Sequence, residues 1–228
     1  MQRLILGFIM SAFVMISTAM ASDVYITQSG ASFTANINQD GQTNKYGVSG
    51  TVVTHTGDSQ TLDIDQLGNT NTIAASVVGD SQTLTLKQEG NTNTSTVTVG
   101  SNSSADDNSI VQTLTGSSNT TTVNVGTSAA SGDADIDLVA TGDSNTVTIN
   151  ENSTATMIGE DKKITNVTIA GSTNTVTTTH AGAGDHDTTL SHTGSGGTFA
   201  ITQDGAHDST VSMTTSGAGH SVTVTVDD

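Results

Sequence analysis

The stretch Gly57–Gly100 decides the fold. Written in elevens it reads GDSQTLDIDQL (57–67), GNTNTIAASVV (68–78), GDSQTLTLKQE (79–89) and GNTNTSTVTVG (90–100). The first line matches the third and the second matches the fourth. Residues 57–78 and 79–100 agree at 13 of 22 positions, so the unit is a 22-residue repeat of two halves. A fixed period of this size is the mark of a solenoid or array. Each half opens on Gly-x-x-Asn/Gln-Thr, a corner phrase, because Gly, Asn and Asp accept turn conformations. Apolar residues then alternate: Leu62 and Ile64, Ile73 and Val77, Leu84 and Leu86, Val97 and Val99 take the inward places. A period of two is that of a strand with one buried face.

Composition agrees with strands and little else. Aromatic residues are 3% of the chain, Trp, Cys and Pro are absent, and Gly numbers 24. Low hydrophobicity with a net charge of −17 is ordinarily a disordered composition. The regular alternation of Val, Ile, Leu and Thr argues instead for strands. The lack of cysteine excludes disulfides, thiolate chemistry and Cys-ligated metal. No nucleic-acid partner is expected for so acidic a chain: Arg3 is its one arginine, and its lysines are Lys45, Lys87, Lys162 and Lys163.

Outward from the central repeat, residues 1–21 read as a secretory signal. Arg3 supplies the positive start, Leu4 to Ile16 the apolar run, and Ala19-Met20-Ala21 a small-x-small cleavage site before Ser22. The expected location is extracellular or at the cell surface, with no membrane span once the signal is cleaved. Residues 22–228 form the repeat domain. The phrase Ile/Leu-x-Gln-x-Gly occurs at Ile26–Gly30, Ile37–Gly41, Ile64–Gly68, Leu86–Gly90 and Ile201–Gly205. Irregular insertions are expected near 45–53, 101–104, 127–130 and 150–163, the last as a protruding loop. Corners every 11 or 12 residues predict an all-β chain, a β-solenoid of about nine rungs with two short strands per 22-residue repeat. An antiparallel meander of hairpins is the rival. The solenoid is preferred because it stacks Gln66 on Gln88 and Asn71 on Asn93, and amide ladders at strand spacing give continuous hydrogen bonding. The ladder residues are Gln28, Gln39, Asn44, Gln66, Asn71, Gln88, Asn93 and Gln203; the corner glycines are Gly30, Gly41, Gly57, Gly68, Gly79 and Gly90.

Gln28-x-Gly30, Gln39-x-Gly41-x-x-Asn44, Gln66-x-Gly68-x-x-Asn71 and Gln88-x-Gly90-x-x-Asn93 resemble the curlin repeats of curli, the secreted amyloid fibres of bacterial biofilms. That family's repeat carries a Ser six residues before the Gln and a second Gln five or so after the Asn. Here Ser59 precedes Gln66 by seven, and Val77 and Val99 stand near the second Gln. The match covers roughly residues 23–100 and returns at 198–208. The resemblance implies a β-solenoid that adds copies of itself end to end, leaving the cell through an outer-membrane secretion pore and started by a nucleator.

Other chemistry is thinly represented. Thr83-x-Thr85, Thr94-x-Thr96-x-Thr98, Thr146-x-Thr148, Thr175-x-Thr177-x-Thr179 and Thr223-x-Thr225 fall at outward places. Ranks of this kind on a solenoid resemble ice-binding proteins, so a monomeric surface solenoid acting as an adhesin or on ice is the alternative function. Asp63, Asp65 and Lys87 are expected to interrupt that face. Asp58, Asp80, Asp143 and Asp106-Asp107 sit at corners, but neither the nine-residue period nor the paired glycines of calcium β-rolls occur. His180, His186, His192, His207 and His220 cluster late in the chain, with His55 apart. Half a turn separates neighbours, so they are expected on opposite sheets without a shared site. No metal, cofactor or catalytic residue is assigned, and an enzyme is not expected.

Overall fold

In the computed structural model, residues 4–8, 13–16, 23–47, 52–79, 81–100, 108–126, 134–152, 163–182 and 184–227 are described. In chain order the strands are β1 (Leu4–Phe8), β2 (Phe13–Ile16), β3 (Asp23–Ser29), β4 (Ser32–Asp40), β5 (Thr43–Tyr46), β6 (Val53–Thr56) and β7 (Ser59–Leu67). The regular region holds β8 (Thr70–Val78), β9 (Ser81–Glu89), β10 (Thr92–Gly100), β11 (Asn108–Thr115), β12 (Ser118–Val125) and β13 (Ala134–Thr141). Then come β14 (Ser144–Asn152), β15 (Lys163–Ala170), β16 (Thr173–Ala181), β17 (His186–Thr193), β18 (Gly197–Asp204), β19 (Ser209–Ser216) and β20 (His220–Asp227).

These strands build two sheets. Sheet A runs β1-β3-β5-β8-β10-β12-β14-β16-β18-β20, with β6 also between β3 and β8; sheet B runs β19-β17-β15-β13-β11-β9-β7-β4-β2. Pairing within each is parallel, which decides for the solenoid over the hairpin meander: β7 pairs with β9 at Gln66↔Gln88, and β8 with β10 at Asn71↔Asn93. A chain that alternates sheets at each corner returns to its own sheet one turn later, so the pairing is parallel by construction.

Period-two alternation puts one face of every strand in a narrow interior. In β9, Gln82, Leu84, Leu86 and Gln88 are buried while Ser81, Thr83, Thr85 and Lys87 are exposed. Stacking then makes columns. Leu62, Leu84, Ile110 and Ile136 lie in register along sheet B, and all are at most 1% exposed. Each such side chain contributes about 1.5–3 kcal/mol through burial. Small residues share these columns with large ones: Ser95 stands in register with Ile73, and Ala75 with Val97.

The turn is not uniform. In sheet B the register steps from Gln60 to Gln82, then from Gln82 to Asn108, from Asn108 to Ala134 and from Ala134 to Lys163. Each of the later steps takes up more chain than the first. Seven steps lead from Phe33 to Ser209 and join eight strands of sheet B, slightly fewer than the about nine rungs that a constant 22-residue period predicted. From Gln82 to Lys163 the extra length lies between strands of sheet A and the strands of sheet B that follow them, β10 to β11, β12 to β13 and β14 to β15. The expected insertions 101–104 and 127–130 lie outside the described residues. Of the predicted loop 150–163, Asn150–Asn152 end β14 and Lys163 begins β15, while 153–162 lie outside. The irregularity near 45–53 falls inside a strand position: Tyr46 pairs with Ile73 and Val53 with Ala75, so sheet A resumes beside the same strand after the interruption. Residues 4–8 and 13–16, within the expected signal, pair with β3 and β4.

Candidate functional site

The interior is the most specialised part of the molecule. Corner asparagines stack through six rungs: Asn44, Asn71, Asn93, Asn119, Asn145 and Asn174 occupy one register position of sheet A. Each Nδ2 donates to the Oδ1 of the next, at 3.3, 2.9, 2.8, 2.7 and 2.7 Å in order. The second Nδ2 hydrogen goes to the carbonyl just before the next corner glycine, as from Asn71 to Glu89 O at 2.8 Å and from Asn93 to Thr115 O at 2.9 Å. All six side chains are buried, so these bonds satisfy amides that have no access to water. The ladder thus extends three rungs beyond the asparagines picked out from the glutamine phrase. The signal for the rest was present in Gly116-Ser-Ser-Asn119, Gly142-Asp-Ser-Asn145 and Gly171-Ser-Thr-Asn174.

The glutamines divide. Gln39, Gln66 and Gln88 stack in sheet B, with Gln66 Nε2 donating to Gln39 Oε1 at 2.7 Å and Gln88 Nε2 to Gln66 Oε1 at 2.9 Å. The column passes to Leu114 at the next rung and the ladder stops. Gln28 and Gln203 belong to the other sheet and do not join it. Gln28 is in register with His55, and Gln203 with His180. An 11-residue spacing places copies on opposite sheets, so the repeated phrase alone did not reveal this. Gln60 and Gln82 form a further buried amide pair in register, missed in the sequence because both precede rather than follow the apolar alternation.

The corner glycines likewise form two columns. A Cβ on Gly79 would overlap Gly57 O, and one on Gly57 would overlap Gly30 O. Across the body, a Cβ on Gly90 would overlap Gly68 O, and one on Gly68 would overlap Gly41 O. Stacked corners approach so closely that only a hydrogen fits.

Polar groups interrupt the aliphatic interior at several rungs. Near the first rungs, Tyr46 Oη lies 2.6 Å from His55 Nε2, and the His55 ring stacks on Phe33 with centroids 4.5 Å apart. Burial raises the Tyr46 hydroxyl above its usual range and lowers the His55 imidazole from 6.5 to about 4. The phenol therefore donates and Nε2 accepts. Further along, Glu151, Thr165, His180 and Thr188 form a chain. Thr188 Oγ1 is 2.8 Å from His180 Nε2, His180 Nδ1 is 2.6 Å from Glu151 Oε2, and Thr165 Oγ1 donates to Glu151 Oε1 at 2.6 Å. Lys163 Nζ approaches His186 Nε2 at 3.4 Å beside them. The order hydroxyl, imidazole, carboxylate is that of a nucleophile with its base and orienting acid. All three are at most 2% exposed, so the chain of bonds is closed inside the interior.

The late histidines fall on both sheets, and inward ones meet across the interior. His180 of sheet A and His186 of sheet B meet across the interior with ring centroids 5.8 Å apart, and His192 and His220 with centroids 4.9 Å apart. Inward side chains from opposite sheets touch because the interior is one side chain deep. His207 remains at an exposed corner. Among the described residues no group of three or more His, Asp or Glu is placed to hold a metal ion.

Burial also lowers His186, aided by Lys163 and His180, and His192, aided by His220. A histidine depressed in the folded chain contributes stability that is full above its unfolded value and is lost as pH falls toward the folded one. For His55 the window runs from 6.5 down to about 4, and the loss is about 3 kcal/mol. Denaturant titrations at pH 7 and pH 4 are expected to differ by that amount more in the native chain than in His55→Leu. Equal pH dependence in the two would refute the assignment.

The outer faces differ in charge. Asp63, Asp65, Lys87, Asp135, Asp137 and Asp187 all point outward from sheet B. Asp63, Asp65 and Lys87 therefore do not interrupt the threonine ranks at 94–98, 146–148, 175–179 and 223–225, which lie on sheet A. Only Thr83-x-Thr85 shares sheet B with them. At the far end, Val222, Val224 and Val226 stand in register with buried Phe199, Ile201 and Gln203 yet are 48%, 45% and 48% exposed. No helix among the described residues is long and apolar enough to cross a membrane. No family model, curated protein or solved structure matches the chain.

Proposed function

We propose that this chain is an exported structural protein, a curli-like fibre or extracellular-matrix subunit that joins copies of itself end to end by strand stacking. The observation that carries the reading is the valine row of β20. Val222, Val224 and Val226 occupy inward positions, but β20 pairs on one side only, with β18. Val211 and Met213 of β19 are likewise only partly buried. An apolar rung with free backbone donors and acceptors is a template for another strand.

The opposite rung is matched to receive it. Following the columns of sheet A through the stack, Val222, Val224 and Val226 align with Val24, Ile26 and Gln28 of β3. In sheet B, Val211 and Met213 align with Ala35 and Ile37 of β4. On this reading, cleavage before Ser22 removes β1 and β2 and bares that rung. The curlin-like amide ladders support the same conclusion, because a second copy continues the register of a stack already built from parallel in-register strands. Secretion through an outer-membrane pore and a nucleating partner belong to this reading.

Purified protein beginning at Ser22 is expected to form thioflavin-positive fibres by electron microscopy within days. Val224→Lys, which puts a charge in the joining rung while leaving the interior intact, is expected to slow elongation and keep the far-UV strand spectrum. A native chain that stays monomeric throughout would sink the proposal.

A further inference from the structure

Sheet A presents an outward lattice that end-to-end assembly does not use. In β10, β12, β14, β16 and β18 the three central outward columns read Thr94, Thr120, Thr146, Thr175, Thr198; Thr96, Thr122, Thr148, Thr177, Ala200; and Thr98, Asn124, Asn150, Thr179, Thr202. All but Asn124, Asn150 and Ala200 are threonine and none is charged, whereas sheet B carries acids and a lysine on its outward face. Pairing across the five strands is one to one without a bulge. The long register steps arise at the corners from sheet A to sheet B; the return corners stay short, such as Gly90-Asn91 and Gly116-Ser117. From β10 to β18 length variation is thus confined to one edge and leaves the lattice whole.

Threonine is β-branched and stiff at χ1, so its hydroxyl and methyl repeat with the backbone. The repeat is about 4.8 Å between strands and about 6.6 Å between alternate residues. A small soluble ligand would touch one or two rungs and gain nothing from such a period. A crystalline ligand makes the same contact at every rung, and the contacts add. Oxygens on the prism faces of hexagonal ice repeat at distances close to these two, and an uncharged surface of alternating methyl and hydroxyl holds water in that pattern without the competing shells of ions. Crystalline polysaccharide is the other periodic ligand, but sugar rings pack on aromatic faces, and the outward positions of sheet A from β8 to β20 hold no aromatic residue.

We propose that the outward face of sheet A binds ice. The inference does not rest on fibre formation, since a monomer and a stack present the same face. The test freezes a solution of the full-length chain slowly and measures protein in the ice and in the remaining liquid, with ice recrystallisation as a second readout. The native chain is expected to enter the ice and to arrest recrystallisation. Thr122→Tyr with Thr148→Tyr, on sheet A, is expected to lose both effects, while Thr113→Tyr with Thr189→Tyr, on sheet B, keeps them; circular dichroism checks the fold of each. Should the tyrosine pair on sheet A misfold, Thr122→Ser with Thr148→Ser removes only the methyls and is expected to reduce partition. Exclusion of the native chain from ice, equal losses from the two faces, or retention on microcrystalline cellulose without entry into ice would each overturn the proposal.

Discussion

Gly116→Ala is expected to destabilise the solenoid by about 3 kcal/mol, the upper range for overpacking a filled site. The added Cβ would overlap Gly90 O and sit 2.9 Å from Asn93 Nδ2. Neither neighbour can give way. The Gly90 carbonyl belongs to the stacked corner, and Asn93 Nδ2 is already committed to Asn119 Oδ1 and Thr115 O. Relief requires the rungs to part, which strains the Gly116 N to Thr141 O bond at 2.9 Å and breaks the asparagine ladder at its middle. Because each rung touches only its neighbours, the damage should uncouple the two halves of the stack rather than spread evenly. Ser117→Ala, at the exposed neighbouring corner position, is the control and should stay within about 0.5 kcal/mol. Chemical denaturation gives the size of the effect and hydrogen exchange its location. A Gly116→Ala chain as stable as the control would show that the corners have room the geometry denies.

The second large effect concerns Glu151. Glu151→Ala should cost roughly 2–6 kcal/mol, since two buried donors are left unsatisfied at about 1–3 kcal/mol each. The substitution leaves His180 Nδ1 and the Thr165 hydroxyl facing an apolar void, since both are wholly buried and both use this carboxylate. Removing the whole polar chain is predicted to be far milder. Glu151 stands in register with Val125, and Thr165 with Ile136, so the rungs before it already carry the aliphatic solution. Val at 151, 165, 180 and 188 together should restore most of what Glu151→Ala loses, because a complete apolar replacement leaves no polar atom unpaired. The comparison is read by urea midpoints of the two variants against the native chain. If the fourfold variant falls as far as the single one, the cluster contributes more than the satisfaction of its own polar atoms.

How much of this was legible beforehand follows from the range over which each feature acts. Leu84 and Leu86 read as inward from two residues on either side, because pleat alternation is local. Asn71 and Asn93 could be stacked on paper because the segment between them holds no insertion. His192 and Asn174 could not: ring and amide meet with Asn174 Nδ2 2.7 Å from His192 Nε2, across the interior from one sheet to the other. The pairing of His180 with Glu151 spans residues 153–162, the least regular part of the sequence, where a register cannot be counted. The misplacement of Asp63, Asp65 and Lys87 onto the threonine face has the same origin. They alternate correctly along their strands, but which sheet a strand joins depends on how many corners precede it.

By itself, the amino-acid sequence determined that this is an all-β chain of short strands joined by small, polar corners at a fixed period, and which side chains of each strand turn inward. Those features depend on pleat alternation and on corner chemistry within a few residues. The tertiary structure alone decided which columns the residues enter: that Gln28 and Gln203 leave the glutamine ladder, that the asparagines run unbroken from Asn44 to Asn174, and that the uncharged threonine columns of β10 to β18 lie on the sheet opposite Asp63, Asp65 and Lys87. Register between turns is a contact between residues a full turn of the chain apart, and its outcome depends on the length of every insertion between them.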